Sequence, residues 1–452
     1  MDATHRSPRL IPLLTRKGFV SLSSILIGPF LGLLLPVSWQ ECIAFSALLM
    51  LGFILLGLRD YFRATSVLKG FSISGGVAPR LYSGVRAILQ LKLHAPAPAH
   101  SLHVLLRPEI PEGITAENEV FLVPASDDEV TIEYPFTPLA RGTLLWPGVT
   151  LRLITRSGLF SFQTVHPYSE QVLSLVFPNP YCNPDRKSRS VQKLSSGNTI
   201  FSMAGGEGRE FDSLRQYSTG DDPRRIDWKR SARRGSVLVK LYRPETHQRI
   251  NILIDCSRRM ANSIENRLQL DYAADSAAYL ARLASENDDE VGLFAFHHHV
   301  VSQVACRRGR QQQSLIMEQL LKLEAGELEG DYELVKRFGR SSRRRSLLVL
   351  LTSITTPANL DNLRLNLLPI SQKHLPLVVA IYDRELQRLL DSPVETTRDA
   401  FIAAAAYEQR ESIAQRVELL RRSGIECIYS DALDIPRVLE QKYYELKLSG
   451  RL

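Results

Sequence analysis

Two apolar runs near the N-terminus constrain this chain more than any other feature. They are FVSLSSILIGPFLGLLLPV over residues 19–37 and CIAFSALLMLGFILLGL over residues 42–58. In hydrocarbon every backbone N–H and C=O must find its partner within the chain, so such a run is expected to be helical. A span takes roughly 17–25 apolar residues, and each run is near that length. The break SWQE between them carries one acid, Glu41. Arg6, Arg9, Arg16 and Lys17 precede the pair, and Arg59, Arg63 and Lys69 follow it. Basic residues stay on the cytoplasmic side. The pattern predicts a transmembrane helical hairpin over residues 19–58, after a cytoplasmic N-terminal segment over residues 1–18. The chain is then multi-pass and meets the lipid bilayer through two helices, with both termini and the soluble domains cytoplasmic. No small-residue cleavage site leads into a polar chain, which argues against a signal peptide.

From residue 70 to 178 the pattern changes to short runs such as VRAILQLKL, EVTIEYPF and VTLRLIT, cut by Pro and Gly. Turn signals at regular spacing predict a β-sandwich of the immunoglobulin-like kind. Residues 179–249 read as a connector followed by a charged segment. The AGGEG piece at residues 204–208 is followed by no Lys-Ser/Thr and preceded by no strand, so it does not make a phosphate-binding loop. Within residues 210–249 acids and bases alternate: Asp221, Asp222, Arg224, Arg225, Asp227, Lys229, Arg230, Arg233, Arg234. Solvated tails carry blocks of one sign. Mixed signs around Trp228 and a Gly-Asp-Asp-Pro turn predict a folded ion-pair network.

After this segment apolar strands and helices alternate over residues 250–452: INILIDCS, VGLFAF, SLLVLLTSI, LPLVVAIY and IECIY, with helical runs between them. Strands of this kind are covered on both faces, which predicts an α/β domain with a mostly parallel, Rossmannoid sheet. Five cysteines without CxxC spacing exclude a disulfide framework and a structural zinc site.

The order Glu210-Phe211-Asp212, Leu214-Arg215, Gly220-Asp221-Asp222-Pro223-Arg224-Arg225-Ile226-Asp227-Trp228 and Ala232-Arg233-Arg234-Gly235 resembles the signature of the domain of unknown function 58 family. Arg141-Gly142 and Ser157-Gly158-Leu159-Phe160 are similar to the family's pattern as well. The resemblance implies a bacterial protein anchored in the inner membrane and carrying a von Willebrand factor A-like domain. It also implies a MoxR-type AAA+ ATPase as partner. Domains of that type often hold Mg2+ through Asp-x-Ser-x-Ser and a later Asp. Here Asp255-Cys256-Ser257-Arg258-Arg259 puts arginine where the second serine should stand, and Thr352-Ser353 follow LLVLL without a carboxylate. The implied Mg2+ site is degenerate, reduced to Asp255 and Ser257. A guanidinium there repels a dication or takes its place beside Asp255. No cofactor is expected.

His297-His298-His299 follow VGLFAF where the chain should turn. Consecutive strand residues point to opposite faces, so two of the three at most could share a metal, and an exposed turn is the expectation. Asp221, Asp222 and Asp227, with Glu210 and Asp212, suggest a metal-dependent hydrolase as the alternative function. Arg neighbours hold those acids ionised, and no nucleophile shares the segment. Trp228 amid bases permits nucleic-acid contacts, but the interleaved acids weaken the field and no nucleic acid is expected. The net charge of +8 lies partly beside the apolar runs, where it sets topology. The expectation is therefore a membrane-anchored, non-enzymatic scaffold or adaptor acting in assembly or maturation of envelope complexes. Asp221, Asp222, Arg224, Arg225, Asp227, Trp228, Arg233 and Arg234 form either a partner-docking face or an interdomain brace.

Overall fold

The computed structural model describes residues 10–31, 39–94, 103–116, 120–123, 129–169, 171–182, 210–218, 221–243, 247–354, 356–381 and 384–449. They belong to two compact units, Met1–Val176 and Phe177–Leu452.

The first unit opens with β1 (Ile11–Leu14), α1 (Arg16–Leu31) and α2 (Trp39–Lys69). Short strands follow: β2 (Ser72–Gly76), β3 (Arg80–Tyr82), β4 (Ala87–His94), β5 (His103–Pro108), β6 (Ile114–Ala116) and β7 (Phe121–Val123). Then come β8 (Glu129–Pro138), β9 (Gly142–Trp146), β10 (Val149–Ile154), β11 (Phe160–His166) and β12 (Val172–Phe177). They form three sheets, ordered β1-β11-β10-β5-β7, β2-β4-β8-β6 and β3-β12-β9. Alternation builds the core. In β4, Leu89, Leu91 and Leu93 are buried while Ile88, Gln90 and Lys92 face solvent. Opposite them in β8, Tyr134 pairs with Leu89 and Ile132 with Leu91, and side chains paired across strands on one face stabilise each other.

Helix α2 has two environments. Its first turns expose Ile43, Phe45, Leu48, Leu51 and Leu55. Its last turns bury Asp60, Ala64, Val67 and Leu68, a stripe at helical spacing that joins the β core. Ser157 Oγ donates to Asp60 Oδ2 at 2.9 Å, so the buried carboxylate has a donor. Helix α1 starts at Thr15, whose Oγ1 accepts from Gly18 N–H at 3.1 Å. A Cβ at Gly18 would collide with the Leu159 carbonyl, so glycine is required by the close approach. Strand β1 pairs with β11 from Ile11↔Gln163 to Leu14↔Phe160. The chain entering α1 and the strands after α2 therefore share one sheet.

The second unit begins with β13 (Glu210–Gln216), α3 (Trp228–Arg234) and β14 (Leu238–Arg243). Next come β15 (Arg249–Asp255), β16 (Ser263–Ile264), β17 (Arg267–Leu268), α4 (Gln269–Glu286), β18 (Glu290–Phe296), β19 (Val300–Arg307), α5 (Arg310–Leu321) and α6 (Glu333–Ser341). The chain closes with β20 (Leu347–Ser353), α7 (Pro357–Ser371), β21 (Leu375–Ile381), α8 (Arg384–Asp391), α9 (Thr397–Arg422), β22 (Glu426–Ser430) and α10 (Ile435–Leu448). The main sheet runs β19-β18-β15-β20-β21-β22. On one face Leu253, Leu348, Leu350 and Val378 pack with Val335 of α6, Leu363 and Leu367 of α7, and Ile413 and Val417 of α9. Helix α4 packs with α5 and with α10 and lies on β15, β18 and β20.

This architecture corrects the fold expected above in three respects. Among the described residues one helix, α2, is long and apolar enough to cross a membrane, not two. The first apolar run folds as α1, a 16-residue helix of about 24 Å, short of the roughly 30 Å hydrocarbon core. Residues 32–37 of that run lie outside the described residues. The described residues of the β-rich region form three sheets, with antiparallel pairing in each, instead of the two of a sandwich. The C-terminal unit carries a mixed sheet, with β18–β19 antiparallel, and separate hairpins β13–β14 and β16–β17. Its main sheet is parallel from β18 through β15, β20 and β21 to β22 and turns mixed at the β19 edge, which departs from a wholly parallel Rossmann-like sheet. Apolar runs report burial on both faces and say little about strand direction.

Truncating β4 separates its two faces. Leu91→Ala is expected to cost about 2–5 kcal/mol, because Leu91 is fully buried. Ile88→Ala, on the exposed face, is expected to leave the thermal unfolding midpoint of the detergent-solubilised chain nearly unchanged. Equal losses in the two variants would reverse this assignment of faces.

Candidate functional site

Two places in the second unit concentrate polar side chains. The first is the charged segment, built on the β13–β14 hairpin, whose register shifts between Phe211 and Ser213. Asp221 accepts from Ser218 N–H at 2.8 Å and pairs with Arg215 at 2.6 Å. Asp222 caps the 3₁₀ turn Pro223–Arg225 by accepting from Arg224 N–H at 3.0 Å. Asp227 caps α3 by accepting from Arg230 N–H at 3.1 Å, and Lys240 lies 3.7 Å from it. Aspartate before a turn or helix satisfies donors that the first turn leaves open. The Ser218 N–H, and then Arg215, hold the Asp221 carboxyl below its usual range. The Arg230 N–H, and then Lys240, do the same for Asp227. Ser231 is buried behind them, donating to Asp227 O and accepting from Leu238 N–H, each at 2.8 Å.

The bases face the other way. Arg224, Arg225, Lys229, Arg233 and Arg234 are exposed and carry no ion pair among the described residues. Trp228 stands among them with 67% of its surface exposed. The structure thus sorts the alternating charges by sign, acids into caps and bases outward. The side chains of Glu210 and Asp212 lie outside the described residues.

The second place is the end of the central strand β15. Asp255 is fully buried there. Its Oδ1 accepts from Ser257 N–H at 2.9 Å, and its Oδ2 from Thr352 Oγ1 at 2.7 Å and the Tyr332 hydroxyl at 3.1 Å. The Arg259 guanidinium stands 3.6 Å from Oδ2, donates to the Tyr332 hydroxyl at 2.9 Å and reaches Glu329 at 3.2 Å. Burial, and then the Asp255 charge, push the Tyr332 phenol far up, so it stays neutral. A loop covers the cluster: Gly326 N–H donates to Cys256 O at 2.7 Å, and Asp331 N–H to His297 O at 2.9 Å. A Cβ at Gly330 would come within 2.9 Å of Asp255 Oδ1. The hydroxyls of Ser257 and Ser353 are buried without a partner.

This donor set does not fit Mg2+. A magnesium site needs oxygen ligands with free lone pairs in near-octahedral array. Both oxygens of Asp255 are instead committed to protein donors, and Arg259 brings a fixed positive charge to the position of the motif's second serine. Tyr332 and Glu329 are the members of this cluster that the sequence reading missed. No spacing signal marks them, since the loop before α6 delivers both.

His297, His298 and His299 close the β18–β19 turn. Burial and the two neighbouring imidazoles hold His297 below the usual histidine range, with Asp255 acting in the opposite direction.

A β-rich unit carrying an apolar helix, and a mixed α/β unit whose buried polar cluster is closed by arginine, define a multi-unit protein with no assembled catalytic constellation among the described residues. Residues 213–433 match the model of the family described as "Protein of unknown function DUF58", and the chain belongs to that family. It is similar to uncharacterised proteins of Mycobacterium bovis and Mycobacterium tuberculosis. Each is 26% identical over 158 residues, which cover 34% of this chain and 50% of the relative. The match therefore spans half the length of those relatives.

Removing one partner of a buried ion pair leaves an uncompensated charge, at a cost of about 3–5 kcal/mol. Arg259→Ala is expected to destabilise the chain on that scale, measured as loss of thermal stability. Combining it with Asp255→Asn should recover part of the loss. Additive losses in the double variant would show that the two groups do not depend on each other.

Proposed function

We propose that this protein is a membrane-anchored, non-enzymatic scaffold or adaptor that docks an acidic partner surface on its charged segment. The observation that carries this reading is the sorting of charge around Trp228. Asp221, Asp222 and Asp227 are consumed by local caps and ion pairs, while Arg224, Arg225, Lys229, Arg233 and Arg234 project outward. An exposed tryptophan in a segment rich in exposed arginines has the composition of a binding hot spot, and the excess of exposed bases favours an acidic counterpart. The family resemblance supplies the partner's class, a MoxR-type AAA+ ATPase, and the setting, assembly or maturation of envelope complexes.

The anchor in this reading is α2, whose first turns expose apolar side chains over residues 39–58, about 30 Å of helix. Because β1 and β11 share a sheet, both ends of the α1–α2 pair remain on the side of the β-rich unit. Arg16, Lys17, Arg59, Arg63 and Lys69 lie at that end. By the positive-inside rule that side is cytoplasmic and the membrane is the inner one. The hydrolase alternative finds little support, since Asp221, Asp222 and Asp227 are committed as hydrogen-bond acceptors.

The test is affinity purification of the full chain from detergent-solubilised native membranes with ATP present, read by mass spectrometry. An AAA+ ATPase is expected with the parent chain. It should be lost with Arg225→Glu and with Trp228→Ala, and its capture should weaken as salt is raised. Capture of the ATPase by all three chains equally would remove the charged segment as the docking face. Absence of any ATPase with the parent would remove the partner.

A further inference from the structure

The β18–β19 turn carries chemistry that the adaptor reading does not use. His297 N–H donates to His299 O at 3.0 Å, which folds the three residues into a tight turn instead of an extended strand. Strand alternation, which would have sent consecutive rings to opposite faces, therefore does not apply. The ring centroids lie 4.1–4.5 Å apart. One ligand nitrogen from each ring falls within 4.8 Å of the other two. His298 Nε2 and His299 Nδ1 face each other at 3.0 Å.

We propose that His297, His298 and His299 form a binding site for a transition-metal dication of the zinc type. Two imidazole ligands of one tetrahedral ion, each about 2.0–2.1 Å from the metal, stand about 3.3 Å apart. The His298–His299 pair is a few tenths of an ångström from that separation, and a small rotation of two exposed rings closes the difference. His297 is half-buried, and its carbonyl is held by Asp331 N–H at 2.9 Å. One ligand is thus anchored while the other two adjust. An all-nitrogen set favours zinc, nickel or copper over magnesium and calcium, which take oxygen. Three protein ligands leave a position open, to be filled by water or by a carboxylate of a bound partner.

The experiment is calorimetric titration of the full chain in detergent with ZnCl2, with MgCl2 as control. One zinc per chain and no magnesium binding are expected. The double variant His298→Ala/His299→Ala should weaken zinc binding by at least about tenfold, with an unchanged metal-free melting temperature because both rings are exposed. The milder His298→Asn should weaken it as well, so a fold defect in the double variant would not hide the answer. No zinc binding by the parent would overturn the proposal. So would equal binding by parent and variants, which would place the ion on other histidines.

Discussion

A carboxylate buried at the end of the central strand sets the terms for the C-terminal unit. Moving an ionised Asp out of water costs several kcal/mol unless donors and a counter-charge replace the lost hydration. Asp255 obtains them from three separate stretches: Ser257 and Arg259 just after its own strand, Thr352 at the end of β20, and Tyr332 at the start of α6. Each donor comes from an element that the mixed sheet brings to the same end. The covering loop can approach this closely because Gly330 has no side chain to meet the carboxylate. Arg259 is a tethered charge that supplies compensation without a free ligand. The cluster therefore holds the strand ends together.

The charged segment follows a different rule, with local turns in place of burial. An aspartate just before a 3₁₀ turn or a helix is drawn to the open N–H groups there, as Asp222 and Asp227 are. Arginine and lysine have no such local demand on them in the first turn, and their long side chains reach solvent. Alternating charge along the sequence becomes separated charge in space. That separation turns a neutral-looking stretch into a basic surface around Trp228, which is where the proposed docking rests.

Much of this was legible in the residues, and the misses have physical causes. Leu89, Leu91 and Leu93 alternate with polar neighbours, so β4 could be read with its inner face. The ordered motif from Glu210 to Gly235 placed the chain in its family. Asp255 and the intrusion of Arg259 were marked by the motif that the family resemblance implies. Sheet count and the antiparallel edge strand β19 were not legible, because an apolar run reports that both faces are covered and does not place the neighbours at a sheet edge. The exposed turn expected at His297–His299 agrees with the structure, although strand alternation does not apply there because the backbone reverses past Phe296. Tyr332 and Glu329 were invisible because they come from a distant loop.

Local order, then, is what the sequence by itself determined: an apolar helix beginning at Trp39, alternating strands, caps at Asp222 and Asp227, and membership of a family. Those follow from periodicity and from hydrogen bonds between residues a few positions apart. The tertiary structure alone decided which strands pair and in which direction, which sign of charge faces outward, and which side chains surround Asp255. The reason is that pairing and burial depend on groups far apart in the chain. Tyr332 and Asp255, 77 positions apart, meet only once the sheet has formed.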